Sequence, residues 1–83
     1  KRHAQLDAKR KVEAAREKYQ LTPREADILR YLVDGRSIAD IVETEMVSIN
    51  TIRTHVSSVH RKMDAHSNAE VVRIVNRVLD EEG

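Results

Sequence analysis

The sequence predicts an all-α fold: four helices in a tetrahelical arrangement, with a linker helix ahead of them. Three observations predict it. Apolar residues return at steps of three and four along each periodic segment, most clearly at Ile49, Ile52, Val56, Val59 and Met63. A helix-starting hydroxyl residue stands just before each of the four later segments: Thr22, Ser37, Ser48 and Ser67. Finally, the second and third of these segments are separated by only a short turn, and the third has an entirely polar outer face. Two such helices form a helix-turn-helix pattern.

Composition limits what this fold can be used for. With 83 residues there is room for one small domain. Aromatic residues make up 2% of the chain and Phe and Trp are absent, so the core is aliphatic and the base-stacking platforms of single-strand and RNA modules have no material. The absence of cysteine excludes disulfides and thiolate metal sites. No apolar run approaches the roughly 20 residues that span a bilayer, so no membrane contact is expected of this segment, and the expected compartment is the cytoplasm. The sequence begins at Lys1 and is expected to be a piece of a longer protein.

The net charge of +1 conceals an uneven distribution. Residues 1–20 carry seven Lys/Arg against three Asp/Glu, whereas residues 21–83 carry eight against eleven. Within that acidic body, Ser48–Met63 holds three basic residues and no acidic one. A basic stripe on an acidic body can orient a DNA duplex without strong non-specific affinity.

Taken in order, residues 1–20 read as an uncapped helix with a thin stripe of Ala4, Ala8, Val12, Ala15 and Tyr19 and a favourable Asp7–Lys11 pair. This segment is expected to be a linker or the tail of an upstream domain, with residues 21–83 forming the domain proper. Leu21-Thr22-Pro23-Arg24-Glu25 starts the next helix: Thr22 as N-cap, Pro23 in the first turn and Glu25 completing a capping box. That helix ends at Gly35, where a left-handed residue is needed. Ser37 caps a short helix ending near Glu45, and Met46-Val47 leads to the Ser48 cap of the helix at about 49–63, so the motif occupies about 37–57. Ser67-Asn68-Ala69-Glu70 is a further capping box, and the last helix is expected to run to about Leu79 before an acidic tail, Asp80-Glu81-Glu82-Gly83. The last helix has apolar residues on two adjoining faces, Val71, Val72, Ile74, Val75, Val78 and Leu79. Either the core wraps round it or one face pairs with a second copy. The pairing is the reading preferred here, with Val71, Val75 and Val78 as the dimerisation residues.

The functional candidates lie on the helix at 49–63. Asn50, Thr51, Arg53, Thr54, Ser57, Ser58, Arg61 and Lys62 line its polar face. Hydroxyls and amides can hydrogen-bond phosphates or base edges, and cations neutralise phosphate charge. The same pattern would also serve as a plain solvated face. No Gly-rich phosphate loop or nucleophile–base arrangement is present, so no enzyme and no cofactor are expected. His55 and His60, five apart, do not share a helix face as metal ligands, and no metal site is expected.

With these elements placed, the chain resembles the LuxR-type (GerE-like) DNA-binding domain of bacterial transcription regulators. The resemblance rests on Leu21–Glu25, Gly35-Arg36-Ser37-Ile38-Ala39-Asp40-Ile41, Val47–Val56, Arg61-Lys62-Met63 and Ser67–Glu70. It implies a four-helix domain whose third helix enters the major groove and whose fourth forms a dimer contact. Carried over by position, Arg53, Thr54 and Ser57 would face bases, and Asn50, Thr51 and Lys62 would contact phosphates. His55 matches a recurrent family histidine that packs the helix or faces phosphate. The implied partners are double-stranded DNA and a second copy of the chain in a homodimer, with RNA polymerase a further candidate. Four departures stand out. Glu45 replaces a buried leucine, Ile38 a common polar residue, Val42 a small residue, and Asp64 a glycine in left-handed conformation. Two other functions compete with the DNA-binding output domain: a promoter-binding module like sigma factor region 4, and a helical interaction or dimerisation module without DNA binding.

Overall fold

The four capped helices begin where their caps place them, and the last runs on to Glu82 rather than ending near Leu79. The computed structural model describes residues 2–82, with side chains from residue 8 to residue 79. The order is α1 (Arg2–Tyr19), α2 (Pro23–Val33), α3 (Ile38–Glu45), α4 (Ile49–Met63) and α5 (Asn68–Glu82), with no strand among the described residues. His3, Ala4, the Asp7 side of the expected Asp7–Lys11 pair, and the side chains of the acidic tail lie outside the described side chains.

The starts follow capping chemistry closely. Thr22 Oγ1 accepts the Glu25 N–H at 3.1 Å, and the Glu25 carboxylate accepts the Thr22 N–H at 2.9 Å. Ser37 and Asp40 repeat the exchange at 3.1 and 3.4 Å. Ser48 accepts the Thr51 N–H at 3.1 Å. At α5 the box is displaced by one residue. Ser67 accepts from the Glu70 N–H at 3.1 Å, but the Glu70 carboxylate reaches back to the His66 N–H at 2.6 Å.

The ends use left-handed residues. Gly35 has φ +83°, and the Arg36 N–H closes onto the Tyr31 carbonyl at 3.0 Å, satisfying a carbonyl that the helix leaves open. Asp64 takes the expected left-handed position (φ 54°) after α4. Gln20 (φ 55°) and Met46 (φ 56°) do the same after α1 and α3, although neither residue type signals it. At Met46 the strain has no compensation from burial, because the residue is 89% exposed. Met46→Gly is therefore expected to raise stability by about 0.5–1 kcal/mol, the left-handed penalty less glycine's extra chain entropy. A denaturant titration checks this. A loss of stability would mean that the side chain makes an interaction worth more than its strain.

The core is aliphatic, as composition requires. Ile28 and Leu29 of α2, Ile41 of α3, Ile52 and Val59 of α4, and Val71 and Val75 of α5 are fully buried. α1 is more than a linker. Val12 and Ala15 are buried in the same core cluster, α1 packs on both α5 and α2, and the Lys11 ammonium lies 3.3 Å from Asn76 Oδ1. Within the chain α5 packs on α1, α2 and α4; Val71, Val75 and Val78 are fully buried, whereas Val72, Ile74 and Leu79 are half-buried.

Glu45 does not disturb this core. Its carboxylate turns toward α2, where it accepts hydrogen bonds from the Tyr31 hydroxyl and from the Arg24 guanidinium, the latter at 2.9 Å. The Tyr31 and Arg24 bonds hold its carboxyl below the usual range, and the same contact with Glu45 pushes the Tyr31 hydroxyl up. The acid thus serves as a polar clasp between α2 and α3.

Candidate nucleic-acid interface

The site is the outer face of α4. Ile52, Val56, Val59 and Met63 are buried and pin one side of the helix against α2 and α3. The opposite side is thereby turned outward: Asn50, Thr51, Arg53, Thr54, Ser57 and Arg61 are all exposed. No acidic side chain lies between Val47 and Met63, and the last turn carries His60, Arg61 and Lys62, which suit the negative end of the helix dipole. His55 is half-buried on the flank. The His60 ring nitrogen Nε2 lies 2.8 Å from Asn68 Oδ1, tying the end of α4 to the start of α5.

The expected contact residues fare differently. Arg53, Thr54 and Ser57 stand together on the exposed face, and Arg53 and Ser57 are one turn apart on the same ridge. Thr54 donates its hydroxyl to the Asn50 carbonyl at 2.9 Å, so its oxygen lone pairs and methyl group are what it presents. The Thr51 and Ser48 hydroxyls are 2.9 Å apart at the helix start, beside the exposed Asn50. Lys62 is engaged inward. Its ammonium lies 2.8 Å from the Glu25 carboxylate and 3.5 Å from the Gln20 carbonyl. Two of its three donors are used within the fold, leaving one for an outside partner.

Glu25 was visible in the sequence only as a capping residue. It is also the one buried charged side chain among the described residues. Burial alone would raise its carboxyl pKa. The hydrogen bond from Lys62, the Thr22 N–H and the Lys62 charge outweigh that and bring it below the usual value. The pair joins the start of α2 to the end of α4 and fixes how α4 leaves the body. A basic residue at 62 and an acid at 25 are both readable in the sequence, but nothing in local periodicity says that they meet.

The dimerisation residues require correction. Val71, Val75 and Val78 are fully buried within the single chain, and Val71 and Val75 share the core cluster with Val12 and Ala15. α1, α2 and α4 all pack on α5, and these three positions face them rather than solvent. Those three valines offer no surface to a second copy.

Among the described residues there is no group of His, Asp and Glu side chains arranged to hold a metal ion. Nor is any helix there long and apolar enough to cross a membrane.

Comparison with known proteins is consistent with this geometry. Residues 19–75 match the family model described as bacterial regulatory proteins, luxR family. Among similar proteins, the uncharacterized response regulatory protein YgeK of Escherichia coli is 34% identical over 59 residues, covering 71% of this chain and 40% of YgeK. The transcriptional regulatory protein MctR of Rhizobium johnstonii is 40% identical over 53 residues, 64% of this chain and 25% of MctR. The transcriptional activator protein TraR of Rhizobium radiobacter is 27% identical over 75 residues, 90% of this chain and 32% of TraR. The chain thus spans two-fifths or less of each of these relatives. No solved structure matches it significantly.

Proposed function

The chain belongs to the luxR family of bacterial regulatory proteins, and from that premise we propose that it is the sequence-specific DNA-binding output domain of a transcription regulator, with α4 lying in the major groove. The observation that carries this reading is the exposed face of α4, where Asn50, Arg53, Thr54, Ser57 and Arg61 stand with no carboxylate among them. A face free to take any polar residue would be expected to include acids in a chain whose residues 21–83 are acidic overall. Their exclusion fits a polyanionic partner.

In this reading Arg53, Thr54 and Ser57 read base edges, and Asn50, Thr51 and Lys62 hold phosphates. Arg53 has the reach and the paired donors for a bidentate contact with guanine. Such a regulator acts in the cytoplasm, where its DNA is. Pairing of two copies into a homodimer, and any contact with RNA polymerase, would have to use surfaces other than the three buried valines, or another part of a longer protein.

The test is selection of duplexes from a random library at two salt concentrations. The expected result is an enriched half-site whose affinity falls steeply as salt rises. Enrichment of inverted repeats would add the homodimer; isolated half-sites would place association elsewhere. Binding with no sequence preference would overturn the base-reading role of α4, and no binding at all would overturn the reading in favour of an interaction module. Arg53→Ala should lower affinity for the selected site about tenfold while leaving random duplex nearly unaffected. Equal losses on both would remove Arg53 from base reading.

A further inference from the structure

Two large hydrophobic side chains are exposed among the described residues, and both belong to the turn that opens α4: Met46, 89% exposed, and Ile49, 44% exposed. Nothing in the folded chain accounts for them. Met46 is held in a left-handed conformation that a side chain disfavours. Ile49 is the first residue of α4, where a polar residue would cap or hydrate equally well. An apolar tip at the leading end of a polar helix face points to an apolar feature in whatever that face meets.

Helical geometry places Ile49 in register with the proposed readers. Positions 49, 53 and 57 are successive members of one i, i+4 row, so Ile49 heads the ridge that continues through Arg53 and Ser57. Four residues advance about 6 Å along the axis, close to two base-pair steps of about 3.4 Å each. The apolar feature that the major groove displays at base-edge level is the thymine 5-methyl group, which A·T pairs carry and G·C pairs lack.

We propose that Ile49 is a specificity residue that packs on a thymine methyl one or two base pairs from the base contacted by Arg53, with Met46 extending the same apolar edge. This rests on the reading of α4 as the major-groove helix. It adds a thymine to the half-site at a position that no hydrogen-bonding side chain on this ridge would choose.

The experiment uses the duplex recovered by library selection and replaces each thymine in turn by deoxyuridine, which removes only the methyl group. One replacement within two base pairs of the Arg53-dependent position should weaken binding about fourfold, the value of burying one methyl-sized group. Ile49→Ala should lower affinity for the thymine duplex by a similar factor and show no further loss with deoxyuridine. Ile49→Val, which keeps a branched apolar group and the helix, should retain the thymine preference. Independent losses from the methyl and from Ile49, or no position sensitive to deoxyuridine, would overturn the inference while leaving α4 as the DNA-reading helix. Failure to select any duplex would remove both. Should Ile49→Ala fold poorly, Ile49→Gln, a polar residue suited to the exposed first position of α4, should likewise abolish the deoxyuridine sensitivity, whereas sensitivity retained in that folded variant would assign the methyl contact to Thr54 and overturn the inference.

Discussion

Val75→Asp is expected to abolish the fold. Val75 is fully buried on α5, in the same cluster as Val12, Ala15 and Val71. A carboxylate there loses hydration without gaining a partner, and removal of the valine also costs packing. Together these exceed about 4 kcal/mol, against a total stability of roughly 5–15 kcal/mol for a domain, with small domains at the low end. The variant should show little helical circular dichroism and no cooperative melting at neutral pH. Val75→Ala, which opens only a small cavity, should stay folded and lose about 2 kcal/mol. Because a buried carboxyl can escape its cost by remaining protonated, Val75→Asp should regain helix as pH is lowered toward 5. A Val75→Asp chain that melts like the parent and differs only in self-association would mean that α1 leaves α5 in solution and exposes the valines.

That experiment bears on the point where sequence and structure part. Capping chemistry is local, and it was legible: Thr22, Ser37 and Ser48 each mark a helix start, and Gly35 and Asp64 take their expected left-handed places. The outward face of α4 was legible too, because a stripe at Ile52, Val56, Val59 and Met63 determines which residues it leaves exposed. What could not be read was which element covers which. The two apolar faces of α5 required two partners, but periodicity does not distinguish a second chain from the alanine-rich helix at the N-terminus. α1 is one of the elements packed on α5, and its Val12 and Ala15 are buried in the core cluster that holds Val71 and Val75. The meeting of Glu25 with Lys62 and that of Glu45 with Tyr31 and Arg24 were hidden for the same reason: they join residues distant in sequence.

Glu25→Gln should weaken the fold in a way that pH exposes. Glu25 accepts from both the Thr22 N–H and the Lys62 ammonium, and it is 5% exposed. Gln can still cap Thr22, but it removes the charge opposite Lys62, which should cost about 1–2 kcal/mol at neutral pH. Since the folded state holds the Glu25 carboxyl below its ordinary value, the stabilisation from its charge is fully present above the unfolded pKa near 4.5. It disappears as pH falls through the lower folded pKa. Parent and Glu25→Gln stabilities, measured by urea titration, should therefore differ at pH 7 and converge in the acid range. A constant difference at all pH values would assign the loss to packing rather than charge. The same substitution separates the two roles of Lys62. With Glu25 neutral, the ammonium is released toward solvent at the end of α4. On the proposed reading, affinity for every duplex should then rise, and the salt dependence should steepen by up to about 0.9 in log–log slope, because the Lys62 charge facing the phosphate is no longer neutralised by Glu25. Lys62→Met should likewise lower stability, but it should lower general DNA affinity where Glu25→Gln raises it. If Glu25→Gln left the salt slope unchanged while Lys62→Met lowered only stability, Lys62 would be a brace for α4, and the phosphate contacts would have to come from Asn50, Thr51 and Arg61.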